Sequence, residues 1–153
     1  MELIAEAEEL MKRAKYPHER NGWAVKCLSR AKEWLGNAGD YRRAAEIAVW
    51  FAEDGGMFSS RYFAEAADLY ERAEDYESAI RYYRKAGFSY ALAIVRCYKQ
   101  MGDMDNTRKT LEDEISRLEA YIEEYEDDED SWDAVREAED AIEDCRQMLS
   151  GGE

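Results

Sequence analysis

From Leu3 to Leu149, apolar residues return almost everywhere at every third or fourth position, and no stretch alternates apolar with polar for the length of a strand. A period near 3.6 stacks apolar side chains on one face of a helix, whereas a strand needs a period of two. Pro17 is the single proline in 153 residues, so a missing backbone N–H hardly ever interrupts helix. The pattern predicts an all-α chain of about eight helices. The first runs near 2–15, with Leu3, Ala7, Leu10, Met11 and Ala14 facing inward. "YPHERNG" interrupts it, and Pro17 within that stretch can open a second, with Ala24, Leu28, Ala31 and Leu35 inward. "GNAGD" at Gly36–Asp40 breaks it. A third, near 41–54, presents Ala44, Ala48 and Phe51 and ends in "EDGGMFSS". Ser59 or Ser60 is the expected N-cap of a fourth, near 59–73. The turn "AEDY" leads to a fifth near 76–86. Gly87 ends it, and a sixth near 88–101 ends at "MGDMD".

Beyond 104 the spacing lengthens. Leu111, Ile115, Leu118, Ile122 and Tyr125 form one set, and Trp132, Val135, Ala138, Ile142, Cys145 and Leu149 a second. Both have coiled-coil-like spacing. With "EDDED" as the turn between them, they predict a long antiparallel helical hairpin. The length suits a single domain over 1–153, able to bury roughly 70% of its unfolded surface. Helical-hairpin repeats would occupy about 1–103 and the long hairpin about 104–149.

Charge narrows the partner classes. With 36 acidic against 21 basic side chains the formal charge is -15, which opposes nucleic acid and anionic membrane surfaces. A basic partner is compatible with it. No run approaches the roughly 18 apolar residues of a membrane span, and the acidic amphipathic start "MELIAEAEELMKRAK" does not read as a secretion signal. Cys27, Cys97 and Cys145 are isolated at apolar-periodic positions, so buried free thiols in a reducing, cytoplasmic setting are expected.

Three turns align: "GDYRRA" from 39, "EDYESA" from 74 and "GDMDNT" from 102. Their closing small residues are Ala44, Ala79 and Thr107. Four residues on come Ala48, Tyr83 and Leu111, and seven on come Phe51, Ala86 and Glu114. Counting back sixteen, thirteen, twelve and nine gives Leu28, Ala31, Lys32 and Leu35 in the first repeat. The second gives Phe63, Ala66, Ala67 and Tyr70, and the third Ala91, Ile94, Val95 and Tyr98. Small residues such as Ala67 and Ala79 let two helix backbones approach, and Phe63, Tyr70 and Tyr83 fill the space around the crossing. Lys32 and Glu114 depart from the apolar pattern.

This layout resembles the tetratricopeptide repeat, W-x2-L-G-x2-Y, then A-x3-F, then P. Residues 70–103, "YERAEDYESAIRYYRKAGFSYALAIVRCYKQMGD", look like the repeats of the soluble NSF attachment proteins and trafficking coats. The resemblance covers about 28–114. It implies a right-handed solenoid of antiparallel helical hairpins, closed here by the long C-terminal hairpin. It further implies that the first helix of each repeat lines a concave groove. The matching positions are Lys26, Ser29 and Glu33, then Arg61, Ala64 and Asp68, then Ser89, Leu92, Arg96 and Lys99. Asparagines of a carboxylate clamp are absent there, so an acidic or helical segment is the expected occupant.

Nothing else in the chain points to chemistry. His18 has no positioned Cys, Ser or Asp partner, and the cysteines lack zinc-ligand spacing. The run 123–130, "EEYEDDED", lacks the glycine and alternation of a calcium loop. There is no phosphate-binding glycine motif. Trp23, Trp34, Trp50 and Trp132 read as packing aromatics. The sequence therefore predicts a non-enzymatic, cofactor-free protein-interaction module. A homo-oligomer built through the C-terminal hairpin is the alternative, and a small-molecule-binding helical protein or enzyme comes behind both.

Overall fold

Asp40, Asp75 and Asp103 each start a helix directly after a residue of left-handed backbone, at Gly39 (φ 82), Glu74 (φ 60) and Gly102 (φ 74). The computed structural model describes residues 2–13, 22–53 and 58–151. Among them are eight α-helices and no strand. They are α1 Glu2–Arg13, α2 Gly22–Asn37, α3 Tyr41–Glu53, α4 Ser59–Arg72, α5 Tyr76–Ala86, α6 Ala91–Gln100, α7 Met104–Tyr125 and α8 Trp132–Gly151. Short 3-10 turns at Phe88–Tyr90 and Glu129–Ser131 precede α6 and α8.

The three turns share one hydrogen-bond pattern. The Leu35 carbonyl accepts from the Asp40 N–H at 2.9 Å, Tyr70 from Asp75 at 2.9 Å and Tyr98 from Asp103 at 2.9 Å. One residue inside, Gly36 accepts from Gly39, Glu71 from Glu74 and Lys99 from Gly102. This Schellman arrangement satisfies the last carbonyls of the outgoing helix. The same aspartate then accepts from an N–H of the next helix: Arg43 at 3.3 Å, Ser78 at 3.3 Å and Asn106 at 3.1 Å. So a dipeptide, Gly-Asp or Glu-Asp, closes one helix and caps the next. The aligned residues that follow, Ala44, Ala79 and Thr107, are all buried.

The chain divides into two compact units, residues 1–90 and 91–153. The turn at 101–103, where the sequence changes to longer spacing, lies inside the second. In the first unit α1 to α5 pack in chain order. Ala7, Leu28, Ala31, Leu35, Ala44 and Ile47 form its core, with Ile4, Trp50, Phe51 and Leu69 against it. The end of α3 meets the start of α4, where Phe51 stacks on Tyr62 at 5.2 Å. The start of α3 meets the end of α4, where Arg72 lies over Tyr41. Between α4 and α5, the Tyr82 ring stacks on both Phe63 (6.0 Å) and Tyr70 (5.5 Å). The Ser60 hydroxyl donates to the Ala86 carbonyl.

In the second unit α7 packs on both α6 and α8. Val95, Leu111 and Cys145 form one cluster, and Leu118, Ala138 and Ile142 another. The apolar positions of the long helices thus face one another. Cys27, Cys97 and Cys145 are free and buried, and burial pushes the Cys145 thiol above its ordinary pKa, with Glu114 and Asp144 adding to the shift. Among the described residues no helix is long and apolar enough to cross a membrane.

Several sequence expectations are corrected. Neither Ser59 nor Ser60 caps α4: Phe58 holds the N-cap position with no side-chain cap bond, because the Ser60 hydroxyl is committed to Ala86. The sixth helix begins at Ala91, after a 3-10 turn, rather than at 88. On α1, Leu3 is exposed and Ile4 packs instead. Trp132 is 58% exposed, because it opens α8 at the tip of the α7–α8 pair, beyond the apolar stripe. Residues 14–21, Pro17 and His18 among them, lie outside the described residues, as does the side chain of Trp23.

Candidate functional site

The positions expected to line a groove fall beside the packed stripe of their helices. On α2, Leu28, Ala31 and Leu35 are buried while Lys26, Ser29 and Glu33 are exposed. On α4, Ala66, Ala67 and Tyr70 are buried, Arg61 and Asp68 are exposed and Ala64 is half-buried. Asp68 is paired along its helix with Arg72 at 3.2 Å. Ser89 is exposed in the 3-10 turn that ends the first unit. Leu92, Arg96 and Lys99 belong to α6 of the second unit, where Leu92 and Arg96 are exposed and Lys99 is half-buried. Six of the ten predicted positions lie on α2 and α4 of the first unit.

A direct contact between those two helices comes from Lys32, the residue that departs from the apolar pattern. Its ammonium reaches from α2 to the Glu65 carboxylate on α4 at 2.7 Å. It also lies over the Phe51 and Tyr62 rings, 5.6 and 5.5 Å from their centroids. The side chain is only 18% exposed. A cation shielded this way needs both a counter-charge and aromatic faces, and a cation–π contact contributes about 0.5–2 kcal/mol. Lys32 so stands where the other two aligned segments carry Ala67 and Val95, and its charge is satisfied locally. Sequence reasoning missed this role because its partners come from two other helices, α3 and α4. The signal was present as a lysine on an otherwise apolar stripe.

A second cation–aromatic group closes α4 on α5. Lys85 lies 5.5 Å from both the Phe63 and Tyr82 rings. Tyr83 is buried, and its hydroxyl donates to Glu71 at 2.9 Å. The neighbouring Tyr70 phenol is raised above its usual pKa, chiefly by burial and next by Tyr82. The tyrosine pair 82–83 thus serves packing on two sides of α5.

At the tip between α7 and α8, Glu123, Glu124 and residues 126–130 are exposed. Asp128 accepts from the Asp130 N–H at 3.1 Å and from the Ser131 hydroxyl at 2.9 Å. Among the described residues no group of three or more His, Cys, Asp or Glu is placed to hold a metal ion. No protein-family model matches this chain, and comparison with curated proteins and with solved structures gives no match.

Proposed function

We propose that this chain is a non-enzymatic interaction module. In this reading its first unit packs as tetratricopeptide-like antiparallel helical hairpins. It binds a peptide or helical segment along the face formed by Lys26, Ser29 and Glu33 of α2 with Arg61, Ala64 and Asp68 of α4. The observation that carries the reading is the Lys32–Glu65 contact. It is a direct contact between α2 and α4, and it supports reading the exposed rows of the two helices as one mixed-charge surface. The shared Schellman–aspartate turn and the buried small residues after it support the tetratricopeptide-like packing. Self-association through residues 104–149 is less favoured, since Leu111, Leu118, Val135, Ala138, Ile142 and Cys145 are already buried.

The test is a peptide selected against the wild-type chain from a displayed library, its affinity then read by fluorescence anisotropy. Reversing Lys26 and Arg61 together to Glu is expected to weaken it at least about tenfold, since charged contacts at a partner surface contribute on that scale. Unchanged affinity in a variant with wild-type circular dichroism would place binding elsewhere and overturn the reading.

A further inference from the structure

The second unit carries 20 acidic and 7 basic side chains, yet four of those seven (Arg96, Lys99, Arg108 and Lys109) fall within residues 96–109, against only Asp103 and Asp105. A cavity of about 220 Å³ opens in that same region. Its walls come from three helices: Lys99 of α6, Met104, Thr107, Arg108 and Leu111 of α7, and Met148 and Leu149 of α8. Leu111 is buried and Met148 and Leu149 are half-buried, which makes an apolar floor. Two thioethers in that lining can adjust to the shape of a guest. The Thr107 hydroxyl donates to the Asp103 carbonyl at 2.8 Å, so its proton is already used. The ionic residues that line the cavity are Lys99 and Arg108, both cationic, in the unit that is otherwise the acidic one.

We propose that this cavity binds a small carboxylate carrying a short hydrocarbon group. The carboxylate meets Arg108 and Lys99, and the hydrocarbon lies on Leu111, Met148 and Leu149. Arg108 suits this role because a planar guanidinium donates two parallel hydrogen bonds to a carboxylate. The volume is below the roughly 300–1,000 Å³ of drug-sized pockets, which limits the guest to a small amphiphile. An inorganic anion would leave the apolar floor unused, and an amine would meet two like charges. The proposal does not depend on the α2–α4 surface, which lies in the other unit.

The experiment is methyl-detected NMR of the full chain, titrated in parallel with sodium octanoate, N-acetylleucine and octylamine. The first two present the same chemistry as a free fatty acid and as a peptide carboxyl terminus, and their relative affinity assigns the source. Saturable shifts at the Met148, Leu149 and Leu111 methyls are expected with at least one carboxylate and not with octylamine. Arg108→Gln and, separately, Lys99→Gln are expected to weaken that carboxylate at least about fivefold, with chemical shifts of the first unit unchanged. Equal binding of octylamine, the absence of saturation with both carboxylates, or full affinity in both variants would each overturn the proposal.

Discussion

Ala79 has no exposed surface, and it follows the turn at which α4 gives way to α5. Ala66 and Ala67 of α4, the helix on which α5 packs, are equally buried, so a larger side chain at 79 is expected to strain that packing. Ala79→Leu adds three carbons to a filled space and is expected to cost about 1–3 kcal/mol. Urea unfolding followed by circular dichroism checks this, and an unchanged midpoint contradicts the packing described. Lys32 shows the limit of reading single residues. An alignment exposes it as an exception, but not that Phe51, Tyr62 and Glu65 gather around its ammonium. Those partners are separated in sequence by up to 33 positions and meet only once α2, α3 and α4 have packed.

At the scale of elements, the turns were the most legible feature, because their cause is local. Gly-Asp supplies a left-handed residue and then a capping carboxylate, whatever surrounds them. The cap of α4 was illegible for the opposite reason: the Ser60 hydroxyl is drawn to Ala86, 26 residues away. The three turns differ at one place, where Glu74 holds a positive φ that the other two assign to glycine. Glu74 is exposed, so Glu74→Gly removes the left-handed strain and little else. It is expected to stabilise the chain by about 0.5–1 kcal/mol, whereas Gly39→Ala and Gly102→Ala destabilise it comparably. For the glycines the cost is backbone alone, as a Cβ at either meets nothing within 4 Å. The third cap also titrates. Asp103 is held below the usual carboxylate range, first by the Asn106 side-chain hydrogen bond and then by the Asn106 backbone N–H. A depressed folded-state pKa means that its contribution is fully present above the unfolded value, about 3.9, and is lost as pH falls through the folded one. Asp103→Asn still caps but cannot titrate, so its stability is expected to fall less steeply than wild type between about pH 5 and pH 2. Equal slopes in acid titrations of the two proteins contradict the assignment.

At the scale of the whole molecule the two units differ most in charge. Residues 1–90 hold 14 basic and 16 acidic side chains, against 7 and 20 in residues 91–153, giving net charges of −2 and −13. The second unit therefore folds against strong self-repulsion. An ion pair between α7 and α8, Arg146 to Glu119 at 3.1 Å, is exposed at both ends and contributes at most about 1 kcal/mol. Burial of Leu111, Leu118, Ile142 and Cys145 must carry the balance. The total charge was evident in the sequence, but its division between units was not. That division depends on a boundary after Tyr90, where neither proline nor a polar linker marks the sequence. Salt shortens the Debye length from about 30 Å at 0.01 M to about 8 Å at physiological strength and so relieves repulsion where it is greatest. Hydrogen exchange of the intact chain, followed from about 0.02 to about 0.5 M NaCl, separates the units. Protection of amides at Leu118 and Ile142 is expected to rise at least about threefold, and that at Leu35 and Ala48 by less than half as much. Equal responses would mean that the excess acid is neutralised locally and that the two units share one electrostatic balance.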